Sequence, residues 1–225
     1  MNKVILNTNV CSFFGKVNTC TSKDYAPATC SITIRVMLEE IGAPYEDELV
    51  DLGVKQQQTP DYLRVNAKAK VPSFVRDDGS LLTEVPAIAL WLALAHPAAR
   101  LLADDIETRV RTMEALEYIA GTIHMQGAAR AWRPGGFNEN ESAHDSIRAR
   151  GRDIVLRGME MLSRTLAQQD WLMGAYSIAD ASLFFIEYWA KEKVAWQLPD
   201  NIEAHYRRMR ARPAVQRALL REGLA

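Results

Sequence analysis

Residues 70–93, KVPSFVRDDGSLLTEVPAIALWLA, constrain this chain more than any other stretch. Pro72 stands near the mouth of the strand-like run Val71–Val75, one of the few places where a strand tolerates a missing N–H donor. Asp77-Asp78-Gly79-Ser80 is a hairpin turn, with a glycine free to take positive φ. Leu81-Leu82-Thr83 reads as a short return strand. From Glu84 to Leu94 the apolar pattern becomes helical. Pro86 falls in the first turn, where no intrahelical donor is lost.

The residues before this stretch alternate in the same way. Val4-Ile5-Leu6 reads as a short buried strand. Residues 28–41, ATCSITIRVMLEEI, place Ile34, Met37, Leu38 and Ile41 on one helical stripe, with Pro27 before it and Gly42 as a stop. Tyr45–Leu52 reads as a second strand, and QQQTPDYLRVN as a short irregular helix. The order β-α-β-α-β-β-α ends near residue 94. After a linker at His96–Asp105 the pattern is helical almost throughout. Helices are expected near 106–130, 143–168, 177–192, 200–211 and 213–222, with a break at Trp132-Arg133-Pro134-Gly135-Gly136. Ser177 and Asp180 form a capping box, a structural signal that needs no ligand.

Composition narrows the function. The chain has 225 residues, 48% hydrophobic and 24% charged, with a net charge of −1. Such a balance points to neither nucleic acid nor an anionic membrane as partner. Val85–Ala99 is the most apolar stretch, holds two prolines and is shorter than the ~20 residues a bilayer requires. No signal peptide is read, so a cytoplasmic location is expected. The three cysteines, Cys11, Cys20 and Cys30, form no CxxC pair, and the histidines are scattered, so no metal site is expected.

Two segments carry a family resemblance. Residues 70–93 resemble the glutathione-binding segment of cytosolic glutathione S-transferases, in which a valine and a cis-proline open the third strand. Residues 177–190, SIADASLFFIEYWA, resemble the capping-box helix of that family's second domain. YAPATCS at 25–31 and YIAGTIHMQG at 118–127 are similar to segments of the bacterial beta class. The resemblance implies an α/β thioredoxin-like domain at 1–97, with a four-stranded mixed sheet, and an all-α helical bundle domain at 105–225. The family opens directly on its first strand, whereas here the catalytic turn arrives only at Tyr25–Ser31. An inserted loop or extension at about 7–25 is therefore expected.

The resemblance also implies site roles. Val71 pairs strand-fashion with the glutathione peptide, next to Pro72. Glu84, Val85 and the free N–H groups of the helix they open receive the γ-glutamyl end. Val85 stands where the family usually has Ser or Thr and contributes only its backbone. Lys55 is the candidate for the glycyl carboxylate. Cys30, in the first turn of its helix, is the expected active-site thiol, because the helix dipole favours a thiolate. Ser31, Tyr25 and Cys11 are the alternatives. His124 is its expected partner, and Met125 and Trp132 fall in the expected second-substrate pocket.

The expected activity is conjugation of glutathione, the co-substrate, to a small hydrophobic electrophile, or its use to displace a group from one. A homodimer and a role in detoxification are implied. A glutathione-dependent thiol–disulfide oxidoreductase and a non-enzymatic interaction protein are the alternatives.

Overall fold

The computed structural model of the chain describes residues 2–6, as backbone, and residues 29–224. Tyr25, Cys11, Cys20 and the expected inserted loop lie outside the described residues. The chain divides into two compact units, residues 1–92 with 212–225, and residues 93–211.

The first unit is built on a four-stranded mixed sheet of order β2-β1-β3-β4. Its strands are β1 (Asn2–Leu6), β2 (Tyr45–Leu49), β3 (Ser73–Val75) and β4 (Leu81–Thr83). β1 and β2 are parallel, with Asn2 opposite Tyr45 and Leu6 opposite Leu49. β3 runs antiparallel to both β1 and β4, with Phe74 between Val4 and Leu82. Parallel β1 and β2 need a crossover, and α1 (Ser31–Ile41) lies between them in the chain. β2 ends earlier than its apolar pattern suggests. The Asp51 carboxylate accepts the Gly53 N–H at 2.8 Å and the Val54 N–H at 3.3 Å, which curls the chain into a turn.

Burial on α1 is wider than one stripe. Ile32, Ile34, Val36, Met37 and Leu38 are each at most 2% exposed, and each such side chain contributes ~1.5–3 kcal/mol. Arg35 shares that interior, with a fully buried side chain. Burial opposes its charge, but Asp47 of β2 and Glu222 hold the guanidinium protonated; its Nε donates to Glu222 at 3.2 Å. Glu222 directly follows α9 (Pro213–Arg221), which packs on α1. Arg217 and Arg221 reach Glu39 of α1 at 2.8 and 3.1 Å, and Arg212 reaches Glu40 at 2.6 Å. The last helix thus belongs to the first unit, whereas the family resemblance implied a helical domain at 105–225. Its apolar residues Ala214, Val215, Ala218 and Leu219 are buried, and the ion pairs orient it.

The second unit is helical. α4 (Ile106–Glu117) runs on through a π-helical stretch, Tyr118–Ala128, into α5 (Ala129–Trp132). α6 (His144–Leu166) packs against this run. Contact is close because Gly151 has no Cβ: one there would lie 2.5 Å from the Ala131 backbone N and 2.6 Å from the Gly127 carbonyl oxygen. α7 (Ile178–Tyr188) is buried along its whole length and forms the unit's centre. The capping box at its start is present as expected. Asp180 also accepts the Leu172 N–H at 2.8 Å and faces His205 of α8 (Asp200–Ala211) at 3.2 Å. Among the described residues no helix is long and apolar enough to cross a membrane.

Candidate active site

Three backbone features of the first unit converge on one loop. Cys30 is the N-cap of α1, one position before the first helical residue. Its Sγ–H donates to the Val71 carbonyl at 3.6 Å. The Val71–Pro72 peptide is cis, as the resemblance implied. The β3 ladder begins only at Ser73, so the Val71 backbone lies outside the sheet's own pairing. Ser31, next along, is fully buried, and its Oγ has no hydrogen-bond partner among the described residues. Of the two, only Cys30 is partly exposed.

The Val71–Pro72 segment is held from both sides. α2 (Pro60–Val65) begins after Thr59, whose side chain accepts the Tyr62 N–H. This cap places Tyr62 and Asn66 beneath the loop. The Tyr62 hydroxyl donates to the Lys70 carbonyl at 2.6 Å and lies 3.1 Å from Ser73 Oγ. Asn66 Nδ2 donates to the same two groups, at 2.8 and 3.0 Å. Burial pushes the Tyr62 phenol above its ordinary range, so it stays a proton donor. Val71 itself packs against the buried pair Val50 and Tyr62. Tyr62 and Asn66 were not singled out in the sequence. Their only local signal is a pair of polar residues in a short helix ahead of the proline.

The other end of the loop is the mouth of α3 (Val85–Ala95). Glu84 takes φ +70°, left-handed backbone that is uncommon outside glycine, and its carbonyl accepts the Ile88 N–H at 3.0 Å. Lys68 reaches this point from the loop after α2. Its Nζ lies 2.8 Å from Glu84 Oε1 and 2.9 Å from Thr83 Oγ1. Lys68 is a further residue the sequence pattern did not mark. Val85 is 9% exposed and leaves its side chain in the core. Lys55 is exposed, in a left-handed turn residue at φ +57° after β2.

His124, Met125 and Trp132 belong to the second unit. His124 and Met125 sit on the π-helical stretch, where the Ala129 N–H donates to the His124 carbonyl, five residues back. The His124 ring meets the edge of Phe185 at 4.9 Å between centroids and lies 6.2 Å from Trp132. Trp132 stacks on Trp189 at 3.3 Å between centroids, and its buried Nε1–H has no hydrogen-bond partner among the described residues. Phe185 and Trp189 complete an aromatic group that sequence reading did not assemble. Met125 is 40% exposed. Among the described residues no group of His, Cys, Asp and Glu is arranged to hold a metal ion.

Comparison with known proteins matches this geometry. Residues 29–95 match the family described as "Glutathione S-transferase, N-terminal domain". The chain is 35% identical over 204 residues to "Glutathione S-transferase GstA" of Escherichia coli O157:H7, across 89% of this chain and 98% of that one. It is 27% identical over 210 residues to "Disulfide-bond oxidoreductase YfcG" of Escherichia coli (strain K12), across 89% and 94%. A sphingomonad glutathione S-transferase complexed with glutathione superposes with a TM-score of 0.79 at 27% identity, over 99% of this chain and 100% of that one. With this identity sustained along almost the full length of both proteins, and with the fold in agreement, the chain belongs to the glutathione S-transferase family.

Proposed function

We propose that the chain is a glutathione transferase whose thiol-facing residue is Cys30. The observation that carries this reading is the Cys30 Sγ–H contact with the Val71 carbonyl, 3.6 Å. Val71 is the residue whose backbone is outside the ladder, so a bound tripeptide extends the sheet there. A cysteine sulfur paired with Val71 then comes to rest beside Cys30. Glu84 receives the γ-glutamyl ammonium, and the α3 N–H groups receive its carboxylate. Lys55 is the candidate for the glycyl carboxylate.

The chemistry is nucleophilic. The glutathione thiol loses its proton to solvent, and the thiolate attacks an electrophilic carbon. A C–S bond forms and the leaving group departs with its bonding pair. Within the second unit, His124, Met125 and Trp132, with Phe185 and Trp189, supply the surface proposed to receive the second substrate. The chain works in the cytoplasm, in detoxification, as a homodimer; a monomer mass in sedimentation at micromolar concentration removes the last point.

A second reading has its own support, a cysteine at the Val71 contact and similarity to a disulfide-bond oxidoreductase. There the Cys30 thiolate attacks oxidised glutathione, forms a mixed disulfide and expels one glutathione thiolate. One experiment separates the two. Mass spectrometry after brief treatment with oxidised glutathione locates any adduct, and chloride release from a chloronitroarene measures transfer. Transfer that survives in Cys30→Ala but needs glutathione supports a transferase with a dispensable thiol. Transfer absent from the wild type, with an adduct on Cys30, supports the oxidoreductase. An adduct on Cys11 moves the site to the N-terminal residues and refutes the role of Cys30.

A further inference from the structure

Glutathione ends in an α-amino acid head, with an ammonium and a carboxylate on one carbon. A site that grips both needs an anion and a cation or strong donor side by side. At the mouth of α3 the chain supplies the anion, Glu84, but replaces the usual hydroxyl with Val85, buried and apolar. The Lys68 ammonium stands at this same mouth, 2.8 Å from Glu84 Oε1 and 2.9 Å from Thr83 Oγ1. Both side chains of the pair are 54% exposed, so a ligand reaches them. An ammonium carries three N–H donors. Two point to Thr83 and Glu84, which leaves one for an incoming oxygen.

We infer that Lys68 is a ligand-binding residue that takes the α-carboxylate of the γ-glutamyl group in place of the hydroxyl missing at Val85. The inference rests on the glutathione reading of this site. Lys68 is in sequence only four residues before Pro72, so the loop that presents Val71 to the tripeptide backbone also carries the cation for its head group. Its hold on Thr83 and Glu84 gives the ammonium a fixed position before any ligand arrives, which lowers the ordering cost of binding. An ion pair this exposed adds little to stability, so its substitution reports on the ligand and not on the fold.

Calorimetric titration of the full chain tests this with two probes: glutathione, and its analogue in which 4-aminobutyrate replaces the γ-glutamyl residue and so removes only the α-carboxylate. Lys68→Met is expected to weaken glutathione binding about tenfold, the low end for one charge-assisted hydrogen bond at a half-exposed site. The analogue's dissociation constant should stay within about twofold, and Lys68→Met with Val85→Ser should recover most of the loss, by the same hydrogen-bond arithmetic. An unchanged glutathione affinity in Lys68→Met overturns the inference. So does an equal loss for both probes, because Lys68 then acts only by holding Glu84. If the wild-type chain binds neither probe, the glutathione reading itself fails, an outcome distinct from the other two.

Discussion

The loop at Val71–Pro72 depends on donors that its own residues do not supply. Tyr62→Phe deletes one hydroxyl, 2.6 Å from the Lys70 carbonyl and 3.1 Å from Ser73 Oγ. Both groups keep the Asn66 Nδ2 donor, the Ser73 O–H loses its Tyr62 acceptor, and the loss is ~1–2 kcal/mol. Asn66→Ala removes both amide donors and also Oδ1, the acceptor of the Lys68 N–H at 3.0 Å. Asn66 is 2% exposed, and this change should cost ~2–3 kcal/mol. In the double variant the Lys70 carbonyl loses both side-chain donors, and the buried Ser73 hydroxyl loses its Asn66 donor together with its Tyr62 acceptor. The double loss should therefore exceed the sum of the singles by at least ~1 kcal/mol. Equilibrium urea unfolding at a common slope measures all three, and glutathione affinity should fall in the same order because Val71 lies between the two held groups. Additivity within ~0.3 kcal/mol would refute the idea that Tyr62 and Asn66 hold the same two groups.

Glu222→Ala should destabilise the first unit by ~3 kcal/mol, since it leaves the fully buried Arg35 with Asp47 alone. Adding Arg35→Met should recover part of that, and a thermal midpoint for Glu222→Ala equal to wild type would show that the Arg35–Glu222 pair adds no net stability. His205 gives a pH signature. Burial lowers its pKa, but Glu187 at 2.7 Å and Asp180 at 3.2 Å outweigh this and raise it to about 9. Burial likewise pushes the Glu187 carboxyl up. A histidine whose folded pKa is raised contributes fully below its unfolded value of about 6.5, and this contribution is lost as pH rises to about 9. Stability should fall by ~3 kcal/mol across that window. His205→Asn should flatten the slope; equal slopes in the two proteins would mean that His205 does not titrate there.

Much of the fold was legible locally. Pro72, the Asp-Asp-Gly-Ser turn and the helical period after Glu84 each act within a few residues, and periodicity and turn chemistry report such short-range physics directly. The capping box of Ser177 and Asp180 is of the same kind. The resemblance gave Cys30 and Val71 to one glutathione site, but their direct contact, across 41 positions, came only with the tertiary fold. Tertiary structure alone decided the rest. α9 belongs with the first unit because a buried arginine on α1 needs the carboxylate of Glu222, 187 residues away. The π-helical turn that carries His124 arises where α6 presents Gly151 and Gly158 to the run, a match of shapes between two helices. Lys68 meets Glu84 because a loop folds across the end of β4, and no local pattern marks a surface lysine whose partner is set by that fold. Backbone preference and apolar period are properties of a short segment, whereas the pairing of charges and the close approach of helices exist only once distant segments have met.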